Sequence, residues 1–279
     1  MTNFLLNVSD PYKWKKGLQK FYVLFLLLSL YIPLISFILL SFVAPSNKGN
    51  VSTSFREWNG VHNYIKFFTD TGFSGGVMDS FINSLIIALI ATPISLFIGL
   101  LTVVNLWKNF GKNKNYVFMV SNFSISCPDI VQGIAFSILF SVLILPFGFS
   151  LGMFTIILAH VAFSVPYVII FLYPRLSKIH TNILFVSQDL NYGFFEFILE
   201  VLIPMLWPNL CAAALFIFSI SFDDFVITNL VRGDVSTVTT DLYTMKGGIR
   251  AWSAVFGSLI LIITTFAFLF SWLYKFRGC

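Results

Sequence analysis

Charge is what this chain has least of. Asp, Glu, Lys and Arg make up only 10% of its 279 residues, against 57% hydrophobic. An average soluble domain is about one quarter charged, so an ordinary water-soluble fold is excluded and a multi-spanning membrane protein is expected. Cysteine is scarce as well. Cys127, Cys211 and Cys279 are odd in number and two lie in apolar runs, so no disulfide framework is implied. The chain has no Gly-x-x-x-x-Gly-Lys-Ser/Thr loop, which excludes a Walker-type ATP site of its own. It has no His-Glu-x-x-His pair, and His62, His160 and His180 are separated by long apolar runs, so no metal site is expected. No basic run carries interleaved aromatics, which argues against nucleic acid as a partner. The expectation is therefore not an enzyme, with no cofactor held by this chain. The first apolar run is too long, and lacks the small-residue cleavage site, to read as a cleavable leader.

What the chain does have is long apolar runs. A membrane-crossing helix needs about 20 mostly apolar residues, and six runs qualify: residues 21–43, 81–107, 116–145, 149–173, 205–231 and 254–274. The fold expected is all-α, a polytopic membrane protein with six spans. It comprises an N-terminal segment 1–20, a transmembrane domain 21–274 and a tail 275–279. Pro146 and Gly148 separate the third and fourth runs by a tight turn. Pro33, Pro93, Pro128 and Pro166 fall within runs, where a membrane helix tolerates them.

Lys and Arg set the orientation. One set of connections carries Lys13, Lys15, Lys16, Lys20, Lys108, Lys112, Lys114, Arg175, Lys178, Lys275 and Arg277, eleven in all. The other carries six: Lys48, Arg56, Lys66, Arg232, Lys246 and Arg250. The richer side is the cytoplasmic one, which places both termini inside. The segment 44–80 then lies outside. Its Phe55-Arg56-Glu57-Trp58 and 62–68 stretches mix aromatics with a few charges, as a short helix on the membrane surface does; a solvated loop is the alternative.

The polar island 174–208 lies on the inner side. It reads as two short helices around an Asn191-Tyr192-Gly193 turn, because Asn and Gly tolerate positive φ. The second helix is expected to end at Pro204. Ile183, Leu184, Phe185, Tyr192, Phe194 and Phe195 would form an apolar patch in water, a mark of a protein interface. This island resembles the cytoplasmic coupling loop of ABC-importer permeases. Gln188-Asp189-Leu190, Phe195 and Ile203-Pro204 fall in register with that family's pattern, while Phe185-Val186-Ser187 replaces its acidic triplet and Asn191 its Gly. The resemblance implies that residues 174–204 dock an ATPase through Phe185, Ser187, Asp189, Leu190, Asn191, Tyr192, Gly193, Phe194 and Phe195.

Four ionisable residues fall inside the runs: Asp129, His160, Asp223 and Asp224. Each costs at least about 2.5–3.5 kcal/mol at mid-membrane, so each needs a partner or a polar path. For His160 an interhelical hydrogen bond suffices; for Asp129 partner and path are balanced. Adjacent carboxylates at Asp223 and Asp224 are hard to satisfy by packing alone. On a helix they point about 100° apart, and Phe222 and Phe225 beside them offer cation–π faces. The stretch 221–228 resembles the fifth-span signature of spermidine/putrescine importer permeases. Asn83-Ser84-Leu85 with 91–95 and Gly99, 128–134, and 160–168 resemble their second, third and fourth spans, and the whole looks most like the second permease of such systems. Past the fifth span Leu242-Tyr243 remains of that pattern, and Arg250-Ala251-Trp252 replaces a proline turn. The resemblance implies a multi-pass cell-membrane permease for polyamines, with Asp223, Asp224, Phe222, Phe225 and Asp129 on the substrate path. It implies as partners a second permease, an ABC ATPase dimer that binds the ATP, an extracellular binding protein and the lipid bilayer. Two alternatives stand: an ABC permease for another small cation or solute, and a self-sufficient secondary transporter or channel, against which the lack of internal symmetry counts.

Overall fold

The apolar runs fold as helices, and they break only where a proline or a polar pair intervenes. The computed structural model describes residues 11–46, 49–52, 57–109, 113–148, 150–245 and 248–277, with side chains of 11–17 and 267–277 undescribed. The expectations for residues 1–10, Lys48, Phe55-Arg56, Lys112, Phe149, Lys246 and Cys279 lie outside these. Every regular element among the described residues is helical, so the chain is an all-α, polytopic membrane protein. Among the described residues five helices are long and apolar enough to cross a bilayer, and a shorter apolar stretch, Ala251–Phe266, accompanies them.

The helices fall into two compact units, one of residues up to Gly76 with those from Met245 on, the other Val77–Thr244. In the first unit, α1 (Pro11–Ser41) begins ten residues before the apolar run at Phe21 and continues through Pro33. It packs on α12 (Ala251–Arg277), where Gly257 allows close approach: a Cβ there would stand 2.6 Å from Phe37. Two short helices, α2 (His62–Thr69) and α3 (Thr71–Ser74), lie in the segment read as outer. The helix expected over 62–68 is present. It is anchored by its polar residues. The Asn63 amide donates to the carbonyls of Ser41 and Val43 at 2.9 and 2.8 Å. The Tyr64 hydroxyl bonds Ser41 Oγ at 2.5 Å and Ser258 Oγ at 2.9 Å. Among the described side chains of α1, Phe21, Leu24, Phe25, Leu30 and Tyr31 are exposed.

The second unit holds α4 (Val77–Lys108), α5 (Lys114–Ser126), α6 (Asp129–Leu143), α7 (Met153–Leu176), α8 (Asn182–Asp189), α9 (Phe194–Asp223), α10 (Val226–Val231) and α11 (Val238–Tyr243). Helices α4 and α7 form its centre. Gly99 of α4 lies so near α7 that a Cβ would come within 2.5 Å of Val168. Val103, Val168, Leu172, Leu202, Leu206 and Ile217 fill the core around this contact.

Three expectations need correction. The third run is two helices, because Pro128 holds Cys127 extended (φ −71°, ψ 131°). The fifth run is also two helices, broken where Asp224 is extended (φ −67°, ψ 127°). Pro204, by contrast, ends nothing. Helix α9 runs straight past it because residues Phe197–Leu202 wind as a π-helix, with the Ile203 N–H bonded to the Ile198 carbonyl. The wider turn accommodates the residue that has no N–H to give.

Candidate functional site: a broken helix and an apolar elbow

The first part of the site is the break in the fifth run. Its two carboxylates part company there. Asp223 ends α9, is exposed, and has no side-chain partner among the described residues. Asp224 turns inward; its side chain is only 9% exposed. Its Oδ2 accepts from the Thr228 backbone N–H and from the Thr228 hydroxyl, both at 2.7 Å, and so secures the first turn of α10. His160 of α7 completes the cluster. Its ring is 1% exposed, with Nδ1 2.7 Å from Ser221 Oγ and Nε2 2.9 Å from Thr228 Oγ1. The same Nε2 is 3.6 Å from Asp224 Oδ2. Since the single Thr228 hydroxyl proton goes to Asp224, Nε2–H of His160 donates to Thr228, and a neutral ring then accepts from Ser221 at Nδ1.

The expected hydrogen-bonded role of His160 is thus what the structure contains, but its tie to Asp224 was not legible beforehand. The pairing of Asp223 and Asp224 as neighbours on one helix is corrected. Asp224 sits outside both helices and is enclosed by polar groups, while Asp223 alone is open. Phe222 lies between Phe218, stacked at 6.1 Å, and Phe81, edge-on at 5.8 Å. Phe225 stacks on Tyr243 at 4.4 Å. Tyr243, 71% exposed, offers the more open ring.

Asp129 is not mid-helix. It is the first residue of α6, after the Pro128 break, and is exposed. One turn on, Gly133 lies against α10, where a Cβ would meet Leu230 at 2.6 Å and Ile227 Cα at 3.3 Å. The half-helices that follow the two breaks therefore pack on each other. Among the described residues no group of His, Cys, Asp or Glu could hold a metal ion. Residues 72–76 and 148–152 both spell Gly-x-Ser-x-Gly. Neither follows a strand as a nucleophile elbow does, and the Ser74 hydroxyl is bonded to the Thr71 carbonyl at 3.3 Å.

The second part is the elbow between α7 and α9. Helix α8 stops at Asp189, Leu190 caps it, and Asn191 takes the left-handed conformation (φ 62°), as Asn does at little steric cost. Gly193 is not left-handed. It is extended, with its N–H donated to Glu196 Oε2 at 2.8 Å, and starts α9. Phe185, Leu190 and Phe195 are 52%, 67% and 67% exposed, and Phe194 is 40% exposed. Asp189 and Asn191 are exposed and Tyr192 half-buried. Leu184, expected in the exposed patch, is corrected: it is buried, as is Ser187, whose hydroxyl is bonded to the Leu184 carbonyl at 2.7 Å. Ile183 packs on the core. The elbow is fastened to α4. The Trp107 indole N–H donates to the Ile179 carbonyl at 2.8 Å, and its ring stacks on Phe197 at 6.3 Å.

No protein-family model matches the chain. Individual relatives do. A spermidine/putrescine transport system permease protein PotC homolog of Mycoplasma pneumoniae is 36% identical over 266 residues, covering 94% of this chain and 91% of the relative. The chain belongs to the PotC family of transport permeases. The homolog from Mycoplasma genitalium, also 36% identical, covers 89% of this chain and 88% of its own. PotC of Haemophilus influenzae is 30% identical over 206 residues, 73% of this chain and 74% of its own. As a PotC-family permease the chain is a membrane transport component, and the family resemblance seen in the second to fifth spans is borne out.

Proposed function

We propose that this chain is one permease subunit of an ATP-driven importer in the cell membrane, and that it forms part of the path for spermidine or putrescine. The relatives' names, each a permease protein of a spermidine/putrescine transport system, support both the substrate class and a role as one component of several. That favours a subunit over a self-sufficient carrier. Counting α5 with α6 and α9 with α10, the spans are six with both termini cytoplasmic, as the Lys and Arg placement favours. Residues 21–274 form the permease domain and 174–204 the coupling loop.

One observation carries the mechanism. Helix α9 is continuous for 30 residues, from the exposed Phe195 near one end to the exposed Asp223 at the other. A partner ATPase that grips Phe185, Leu190, Phe194 and Phe195 therefore holds the near end of the same helix that presents the free carboxylate. ATP stays on that partner, and its closure tilts α9 and exposes the path to alternate sides, a rocking of packed bodies. A sister permease completes the path, and an extracellular binding protein delivers the cargo. Asp223 neutralises one ammonium of the passing polyamine, and the ring faces of Tyr243 and Phe225 suit another. Asp129 stands beside the same pair of half-helices. Asp224 holds the break in place and does not itself touch cargo.

Co-purification tests the partner. Phe195→Asp should release the ATPase from the complex while the chain remains folded in the membrane; retention of the ATPase would refute the elbow as its docking point.

A further inference from the structure

The two parts of the site are joined by a second route besides α9. Near one end of α4, Trp107 is 4% exposed and bonds the Ile179 carbonyl, on the approach to α8. Its ring stacks on Phe197, and the neighbouring Lys108 ammonium lies 4.8 Å over the Phe194 ring, both on the departing arm. So α4 holds the elbow by both arms at once. Near its other end α4 holds a different segment. Ser80 Oγ donates to Ser236 Oγ at 3.1 Å, and the Asn83 amide donates to the Ser236 carbonyl at 3.0 Å. Ser84 Oγ accepts the Val238 N–H at 3.0 Å. The chain then reaches Thr239, whose hydroxyl donates to the Asp224 backbone carbonyl at 2.7 Å. Asn83 and Trp107 stand 24 residues apart on this one helix, about 36 Å at the standard rise.

We propose that α4 is a strut that makes the break at Asp223–Asp224 follow the elbow, with Trp107 and Asn83 as its positioning residues at either end. The proposal rests on the ATP-driven reading above and adds to it. On the α9 side the break has one fixed point, the cluster of Ser221, His160, Thr228 and Asp224. Held also through α4 and residues 236–239, it has a second fixed point, and elbow displacement becomes displacement of the Asp223 carboxylate. Neither residue faces the cargo or the ATPase: Trp107 is buried and Asn83 is bonded to Ser236.

The test is the amount of spermidine moved per ATP hydrolysed, in proteoliposomes holding the whole importer with its sister permease, ATPase and binding protein. Trp107→Phe removes the indole N–H that bonds the Ile179 carbonyl; Asn83→Ala removes the amide that bonds the Ser236 carbonyl at the far end. Each should keep the ATPase bound and basal hydrolysis unchanged, yet lower spermidine per ATP about fivefold or more. The double variant should fall no further than the poorer single, since both changes act on the same strut. Unchanged spermidine per ATP in both singles would overturn the proposal, as would a double variant whose loss is the product of the two. Should either single fail to assemble, Lys108→Met or Ser84→Ala at the same end gives the deciding ratio. If the unaltered importer moves no spermidine with ATP, the function itself is wrong; if it does and the variants match it, only the strut is wrong.

Discussion

His160 of α7 and Asp224, in the break between α9 and α10, meet at 3.6 Å, with the Thr228 hydroxyl bonded to both. This cluster separates two carboxylates that are adjacent in sequence. Asp224 accepts three hydrogen bonds, two at its carboxylate from Thr228 and one at its backbone carbonyl from Thr239; the Asp223 carboxylate is open.

The first prediction follows from that asymmetry. Asp223→Asn should leave thermal unfolding in detergent unchanged and lower uptake of labelled spermidine. A charged hydrogen bond is worth about 1.5–3 kcal/mol, which corresponds to roughly tenfold to a hundredfold. Full uptake by the Asp223→Asn importer would remove this residue from the path.

His160→Ala should do the reverse. It strips a partner from the buried Ser221 and Thr228 hydroxyls, at about 1–3 kcal/mol for groups left unsatisfied. A lowered unfolding midpoint, with uptake per folded molecule largely kept, is the expected result, read by detergent thermal unfolding beside quantified uptake.

Asn191 supplies a sharper local test. Its left-handed φ of 62° costs an ordinary L-residue about 1–2 kcal/mol. Asn191→Gly should preserve stability and Asn191→Ala should lower it. Equal midpoints for the two variants would show that the turn does not constrain the elbow.

Gly99 tests the core. A Cβ would lie 2.5 Å from Val168 on the facing helix, so Gly99→Ala should force α4 and α7 apart at about 1–3 kcal/mol, the usual cost of overpacking. The unfolding midpoint of the purified chain measures this.

Much of this was legible in the residues. Long apolar runs can only be helices in a bilayer, since backbone groups must pair within the segment, and the Asn191 turn followed from steric preference. The breaks were less legible. Pro128 and Pro204 are the same residue type, yet one separates helices and the other is absorbed by a π-turn, and the difference lies in the winding of residues Phe197–Leu202. The split roles of Asp223 and Asp224 depended on a contact 64 residues back, from His160 to Asp224. A helical period cannot reveal such a contact. Ser187 entered the docking set through the family resemblance alone, and its hydroxyl bonds its own helix and is buried.

The central claim is that a partner's ATP hydrolysis, applied at the elbow, moves a polyamine past Asp223. Labelled spermidine uptake into proteoliposomes tests it directly, comparing this chain alone with the chain assembled with its sister permease, ATPase and binding protein. Uptake is predicted only for the full assembly, only with ATP on the ATPase side, and is predicted to fall with Asp223→Asn. Uptake by this chain alone, or without ATP, would contradict the account.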